Sequence, residues 1–267
     1  MSRRIPISAA IWLLLGTIFF ITPLVATLLF ALQSGPNSSY SLAAFGNVLH
    51  DHTFWTTLKL SLELSLETIA ISLILLVPTA YWVHLKLPRV RPYVEFLTIL
   101  PFVVPPIVLV VGLLQTYNGT TRAPNWYLEK PHFFLTSAYV ILAFPYVYRS
   151  LDVGFRAIDI HTLTEASQSL GASWRTTMSR VILPNIRVAA LGGAFLTLAI
   201  VMGEFTIASL AAFFTFPTYI ALINQEKVYE AAALSLISFV ITWAAMAGLL
   251  LVGRGSGRGR PRLVGGR

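Results

Sequence analysis

Cysteine is absent from this chain of 267 residues. That excludes a disulfide framework, a thiol nucleophile and a cysteine-ligated metal, and leaves the redox compartment unmarked. Charge is scarce as well: 11% of residues are Asp, Glu, Lys or Arg, against about 25% in an ordinary soluble domain. Nothing matches G-x-x-x-x-G-K-[ST], so the chain has no phosphate loop of its own. No nucleophile–base pair is evident either. The serines and threonines near the carboxylates have no well-placed histidine within the apolar stretches, since His84 falls at the end of one stretch and His161 in a polar segment. His50-Asp51-His52 offers two imidazoles at i, i+2 without a third and fourth ligand, too little for a metal site. No internal repeat of fixed period is present.

What is abundant is apolar surface. The sequence is 56% hydrophobic, with a mean hydropathy of +0.73. A chain of this size cannot hide so much from water, which predicts an all-α polytopic membrane protein. Six stretches have helical, membrane-crossing length, approximately Ile11–Leu32, Thr57–Val83, Tyr93–Tyr117, Phe133–Arg149, Val188–Phe213 and Val228–Val252. The first follows Arg3 and Arg4, as a signal peptide would. Its apolar run is longer than the 7–15 residues of a signal core, so a retained span is expected. The third contains Pro101, Pro105 and Pro106. These either kink a packing helix or break it beside a transport path.

The basic residues orient the spans. With the N-terminus inside, 15 of the 19 Lys and Arg fall on the inner side, and only Lys59, Arg122, Lys130 and Lys227 fall outside. Both termini and the segment around Glu165 are therefore expected in the cytoplasm. The net charge of +8 is a topology signal rather than a nucleic-acid signal. Residues 253–267, rich in Gly and Arg, are expected to be a disordered basic tail drawn to anionic headgroups.

Between the fourth and fifth stretches lies a polar segment, residues 150–187. Asp159 suits a helix N-cap, and Thr162 with Glu165 has capping-box spacing. Leu163, Ala166 and Leu170 form an apolar stripe at i, i+3, i+7. Gly171 permits a turn. Trp174–Val181 is expected as a second short helix exposing Arg175 and Arg180, and Pro184 as the point where the chain resets before the fifth span.

The spacing Glu165-Ala166-Ser167, Gly171, Val181-Ile182-Leu183-Pro184 resembles the EAA loop of the MetI-like membrane subunits of binding-protein-dependent ABC importers. Ser167 stands where a second Ala is usual and Val181 where Ile is usual; both are small, shape-preserving replacements. The resemblance implies the type I ABC importer permease fold in a prokaryotic plasma (inner) membrane. It implies a second permease subunit, identical or homologous, two ATPase subunits inside and an extracytoplasmic substrate-binding protein outside. ATP and Mg would sit on the ATPase subunits and no cofactor on this chain, which would itself be no enzyme. Carried over residue by residue, Glu165, Ala166 and Gly171 are the central ATPase-coupling residues, with Leu170, Ala172 and Trp174 beside them.

Carboxylates inside apolar stretches are expensive and mark function. Glu63 and Glu67 lie four apart on one helical face, where like charges need a shared cation, water or proton. Glu204 lies in Gly203-Glu204-Phe205 of the fifth stretch. These three are the substrate-path candidates, against the plainer reading of structural hydrogen bonds. The span pattern and the Leu100–Pro106 stretch look most like the second permease of spermidine/putrescine-type systems, and carboxylates suit a polyamine cargo. Ferric iron, thiamine, phosphonate, sulfate and molybdate importers are the alternatives. A stand-alone secondary transporter would explain the spans but not the Glu165–Pro184 spacing, and a membrane-embedded enzyme lacks a catalytic constellation.

Overall fold

The computed structural model describes residues 7–33, 40–118 and 130–254. The loop around Arg122 and all of the basic tail beyond Arg254 lie outside the described residues. Every long element described is a helix, and the chain divides into two compact units. One comprises Met1–Leu58 with Phe216–Ile241, the other Lys59–Thr215 with Thr242–Arg267.

The first unit contains α1 (Ile7–Ala31), α2 (Ala43–His50), the start of α3 (His52–Leu85), α10 (Phe216–Glu226) and most of α11 (Val228–Arg254). Along α1 the large side chains, Trp12, Phe19 and Phe20 among them, are exposed on all sides. That is untenable in water and ordinary in hydrocarbon. Its last residue, Ala31, packs with Ala44 and Ala233, small residues that let three helices meet closely. Asp51 starts α3: its Oδ1 accepts the Thr53 amide at 2.8 Å, and its Oδ2 accepts the Tyr219 hydroxyl of α10. Phe54 and Phe216 meet edge to face at 5.9 Å just inside this contact.

The second unit holds the remainder of α3, α4 (Arg91–Val103), α5 (Pro106–Asn118), α6 (Pro131–Arg156), α7 (Ile160–Ser169), α8 (Trp174–Gly203) and α9 (Thr206–Leu210). At 34 residues, α3 is about 51 Å long, well beyond the roughly 30 Å of a bilayer core. Toward one end of the unit, Tyr81, Leu151, Phe155, Ile182 and Ile186 form a buried cluster from α3, α6 and α8. Toward the other end Leu64, Phe134, Leu135, Tyr139 and Ile207 form a second.

Among the described residues four helices are long and apolar enough to cross a membrane alone, and five if the bent pair α4–α5 counts as one span. The sixth expected crossing is α6. It has the length, 26 residues, but carries Arg149, Asp152 and Arg156, and thirteen of its residues are buried against protein rather than offered to lipid. The span limits expected from hydropathy are corrected in two places. The third is broken: Val104 is extended ahead of Pro105, and α4 and α5 meet at 94°. A residue before proline is driven out of the helical region, and proline has no N–H to continue the ladder. The fifth begins at Trp174 rather than Val188 and stops at Gly203 rather than Phe213.

The Asp51–Tyr219 contact yields a pH prediction. The Tyr219 hydroxyl, more than any other group, holds the Asp51 carboxyl below the ordinary carboxylate value. A depressed folded-state pKa stabilises above the unfolded value, and that contribution fades as pH falls through the folded one. Tyr219→Phe is expected to lower the melting temperature of the purified protein at pH 7. The gap from wild type should close as the pH is taken below about 4. A pH-independent gap would show that packing, not the carboxylate, is what the tyrosine supplies.

Candidate functional site

The segment between α6 and α8 folds as a capped hairpin. Asp159 caps α7: its Oδ1 accepts the Thr162 amide at 3.2 Å and its Oδ2 the Thr162 hydroxyl at 2.7 Å. Those two bonds hold the Asp159 carboxyl below the usual range. Asp159 is thus the N-cap, as expected, and the helix does not start at Thr162 with Glu165 as its box partner. The helix ends in a Schellman turn: the Gly171 amide donates to Gln168 O at 2.8 Å and the Ala172 amide to Ser167 O at 3.1 Å. Gly171 has φ +78°, a left-handed conformation that a Cβ would strain. Ser173 then caps the start of α8, accepting the Thr176 amide.

The buried face of α7 is Ile160, Thr164 and Ser167, with Leu163 half-buried; the expected stripe of Leu163, Ala166 and Leu170 is corrected accordingly. Hydroxyls decide this. Thr164 Oγ1 lies 3.3 Å from the Tyr81 hydroxyl of α3, and Ser167 Oγ lies 2.9 Å from Thr177 Oγ1 of α8. The serine that stands where the EAA pattern has alanine is thus a buried hydrogen-bonding partner. On the opposite face Glu165 and Ala166 are exposed, and Leu170 is 89% exposed at the tip. Among the described residues Glu165 forms no ion pair.

No separate second helix follows. Trp174–Thr176 is α-helical, Thr177–Ile182 is π-helical, and Leu183–Gly203 is α-helical, one continuous rod. Pro184 therefore does not reset the chain. The π stretch, with Leu183 N–H bonded to Met178 O, widens the turn where the proline ring would otherwise strike the carbonyl four residues back. Trp174 stacks on Trp82 of α3 with 6.4 Å between centroids and 12° between planes. The Lys86 ammonium lies 4.9 Å from the Trp82 ring centre. Arg175 and Arg180 are exposed, as expected.

Beside the hairpin is an ionic network that periodicity alone did not reveal. Asp152, its side chain 2% exposed, receives Arg91 Nη2 at 2.6 Å and Arg156 Nε at 2.9 Å. Arg91 Nε also bonds Glu95 at 2.9 Å. His84 Nε2 lies 3.1 Å from Asp152 Oδ1, while its Nδ1 donates to Ala80 O at 2.8 Å. The i, i+4 pairs Arg91/Glu95 and Asp152/Arg156 were the available sequence signal.

The intramembrane carboxylates are placed differently from one another. Glu63 and Glu67 are half-exposed on α3. His132 of α6 bridges them, with Nδ1 at 2.9 Å from Glu67 and Nε2 at 4.0 Å from Glu63. The Thr136 hydroxyl donates to Glu67 at 2.8 Å, and Lys59 lies 3.8 Å from Glu63. The expected lack of a histidine near the carboxylates is thus corrected, because helix packing brings His132 across from α6. Glu204, 7% exposed, stands where α8 stops. Its oxygens accept the amides of Ile207 at 2.8 Å and Ala208 at 3.3 Å, and the Tyr139 hydroxyl bonds the same carboxylate. Thr136 and Tyr139, one turn apart on α6, therefore hold Glu67 and Glu204 on successive levels of the unit. His50, Asp51 and His52 do not converge: His50 Nδ1 donates to Gly46 O, and Asp51 is occupied as a cap.

Apolar helices of membrane-crossing length, two of them joined by a capped hairpin, are the make-up of a membrane-embedded protein. Residues 77–256 match the family described as binding-protein-dependent transport system inner membrane component, and the chain belongs to that family. Its fold resembles that of a chain in a bacterial ABC transporter that imports the acidic polysaccharide alginate: TM-score 0.66, 17% identity, 92% of this chain and 93% of the other covered. A second structure, the bacterial alginate ABC transporter in complex with alginate pentasaccharide-bound periplasmic protein, gives TM-score 0.63, 15% identity and coverage of 94% and 92%. The fold is therefore that of ABC importer permeases, and the protein is a multi-pass inner-membrane protein. Comparison with curated proteins finds no match.

Gly171→Ala places a methyl at φ +78°, a strain of about 1 kcal/mol. Hydrogen exchange at Ala172, whose amide closes the turn, is expected to speed up about fivefold, with α3 and α6 unchanged. Unaltered exchange would show that the turn does not depend on glycine.

Proposed function

We propose that this chain forms half of the translocation path of an ATP-driven importer and receives the ATPase stroke through α7. One observation carries the reading. The helix is fixed by its buried hydroxyls to α3 and α8, while its other face presents Glu165, Ala166 and Leu170, exposed, with no ion pair at Glu165 among the described residues. A helix anchored to spans on one side and bare on the other is built to be pushed. The occupant of the bare face is a cytoplasmic ATPase subunit, a second permease completes the path, and an extracytoplasmic binding protein delivers cargo. The charge split, 15 Lys and Arg on one side against 4 on the other, supports a cytoplasmic hairpin and cytoplasmic termini.

For the cargo we favour a cation of the polyamine class. Glu63 and Glu67 support it, being half-exposed and carrying one shared histidine between two carboxylates. Glu204, with its oxygens committed to Ile207, Ala208 and Tyr139, serves the path by fixing the end of α8 rather than by offering free charge. The alginate transporters share the fold at 17% and 15% identity, which transfers no cargo.

Reconstituted with its ATPase and binding protein, the complex is expected to lose most uptake in Glu165→Lys while keeping basal ATP hydrolysis, so that hydrolysis and uptake part company. Wild-type uptake and wild-type stimulation in this variant would remove α7 from the coupling path. The absence of cysteine gives a clean test of orientation. In intact cells an impermeant thiol reagent is expected to label Lys130→Cys and to spare Ser169→Cys, both positions being exposed. The opposite pattern would invert the topology.

A further inference from the structure

Along the second unit runs a cleft of about 890 Å³ between α4, α6 and α8. Its lining is mostly apolar, with Arg149 the charged side chain among its residues. At one end Ile99, Phe102, Tyr146 and Leu196 make an apolar wall, with Phe102 and Tyr146 rings 4.9 Å apart. Arg149 lies one turn along α6 from Tyr146, and Asn185 lies toward the Ala157 end, its Nδ2 donating to Val181 O at 2.7 Å. The floor is the contact of Gly154 with Ala189, too tight to admit a side chain from below. Arg149 is exposed and forms no ion pair among the described residues, unlike Arg91 and Arg156 nearby, which share Asp152.

We infer that this cleft binds an anionic phospholipid, its acyl chains against Phe102, Tyr146 and Leu196 and its headgroup phosphate on Arg149. An unpaired guanidinium at the rim of an apolar groove in a membrane protein asks for an anion attached to hydrocarbon, and long basic side chains reach to headgroup level. The charge balance favours lipid over a second copy of this chain. At this end of the molecule Glu95 and Asp152 are taken by Arg91 and Arg156, and Asp159 caps α7, so Glu165 is the one nearby acid left to offer. A phosphodiester supplies the missing charge and fills the apolar part in one molecule. The inference rests on the membrane placement of the chain and not on what it transports.

The test is native mass spectrometry of the purified full chain with equal phosphatidylglycerol and phosphatidylcholine. Phosphatidylglycerol is expected to be retained preferentially, about fivefold less by Arg149→Gln and close to normally by Arg149→Lys. Arg89→Gln, an exposed arginine outside the cleft, should have no effect. Val153→Trp, which fills the groove and spares Arg149, should also reduce retention, and excess inorganic phosphate should not displace the lipid. Equal retention of both lipids, indifference to Arg149→Gln, or an equal loss in Arg89→Gln would overturn the site. So would displacement by phosphate alone. In membranes holding the full complex, a crosslink from Val153→Cys to a second permease would overturn it too, by showing that protein covers the cleft.

Discussion

Gly154 on α6 faces Ala189 on α8 so closely that a Cβ added to the glycine would lie 2.4 Å from the alanine methyl. One turn away the Ser150 hydroxyl donates to Ala189 O at 2.6 Å, and Gly193 lies against the Val147 backbone. Inside a bilayer lipid tails are as apolar as leucine, so helices gain little by hiding hydrocarbon from each other; close backbone approach and interhelical hydrogen bonds must serve instead. The crossing also sets the span between Arg156 and Trp174, which is what α7 and its two turns have to bridge. A larger residue at position 154 would spread the two legs on which the hairpin stands.

The same solvent dictates how the helices end. Hydrocarbon offers no water to a freed amide or carbonyl, so each interruption needs a replacement. Where α8 stops, Glu204 supplies it, accepting from two amides of α9 while Tyr139 donates to the same carboxylate. The cost of a buried carboxylate is offset by three donors, two of which would otherwise be orphaned. At the α4–α5 break the solution is different. Pro105 and Pro106 bring no N–H to satisfy, so a right-angle bend is made without stranding two of the donors it would otherwise expose.

Much of this was legible one residue at a time. Asp159 as a cap, Gly171 as a turn and the prolines as a disturbance of the third stretch, left open between a kink and a break, depend on local backbone chemistry, which a short window contains. What was hidden depends on which neighbour stands across the way. Apolar spacing put Leu163, Ala166 and Leu170 on the inner face of α7, but Tyr81 and Thr177 present hydroxyls there, so Thr164 and Ser167 turn in and Leu170 is left out. His132 sits 65 residues from Glu67 in sequence and 2.9 Å from it in space. Pro184 read as a stop because a proline inside a helix ordinarily is one; the π turn ahead of it is a property of the folded rod and leaves no mark in composition.

These contacts bear on how a push on the hairpin would travel. Tyr81–Thr164 ties α7 to α3, Ser167–Thr177 ties it to α8, and Trp82–Trp174 joins α3 to α8 a second time. Asp152 holds the beginning of α4 to the end of α6 through Arg91 and Arg156. Buried charge pairs of this kind are poor at adding stability and good at fixing geometry, because breaking one leaves an uncompensated charge. With α6 also tied to α8 through Ser150 and Ala189, the four spans α3, α4, α6 and α8 are joined at this end, and a displacement of α7 would carry their ends together. The helical ladder is interrupted at Val104–Pro105 and at Gly203–Glu204, and the second break is held by the Glu204 carboxylate. Both lie beyond the joined end, so a bend at Val104–Pro105 would break no bond of the hairpin.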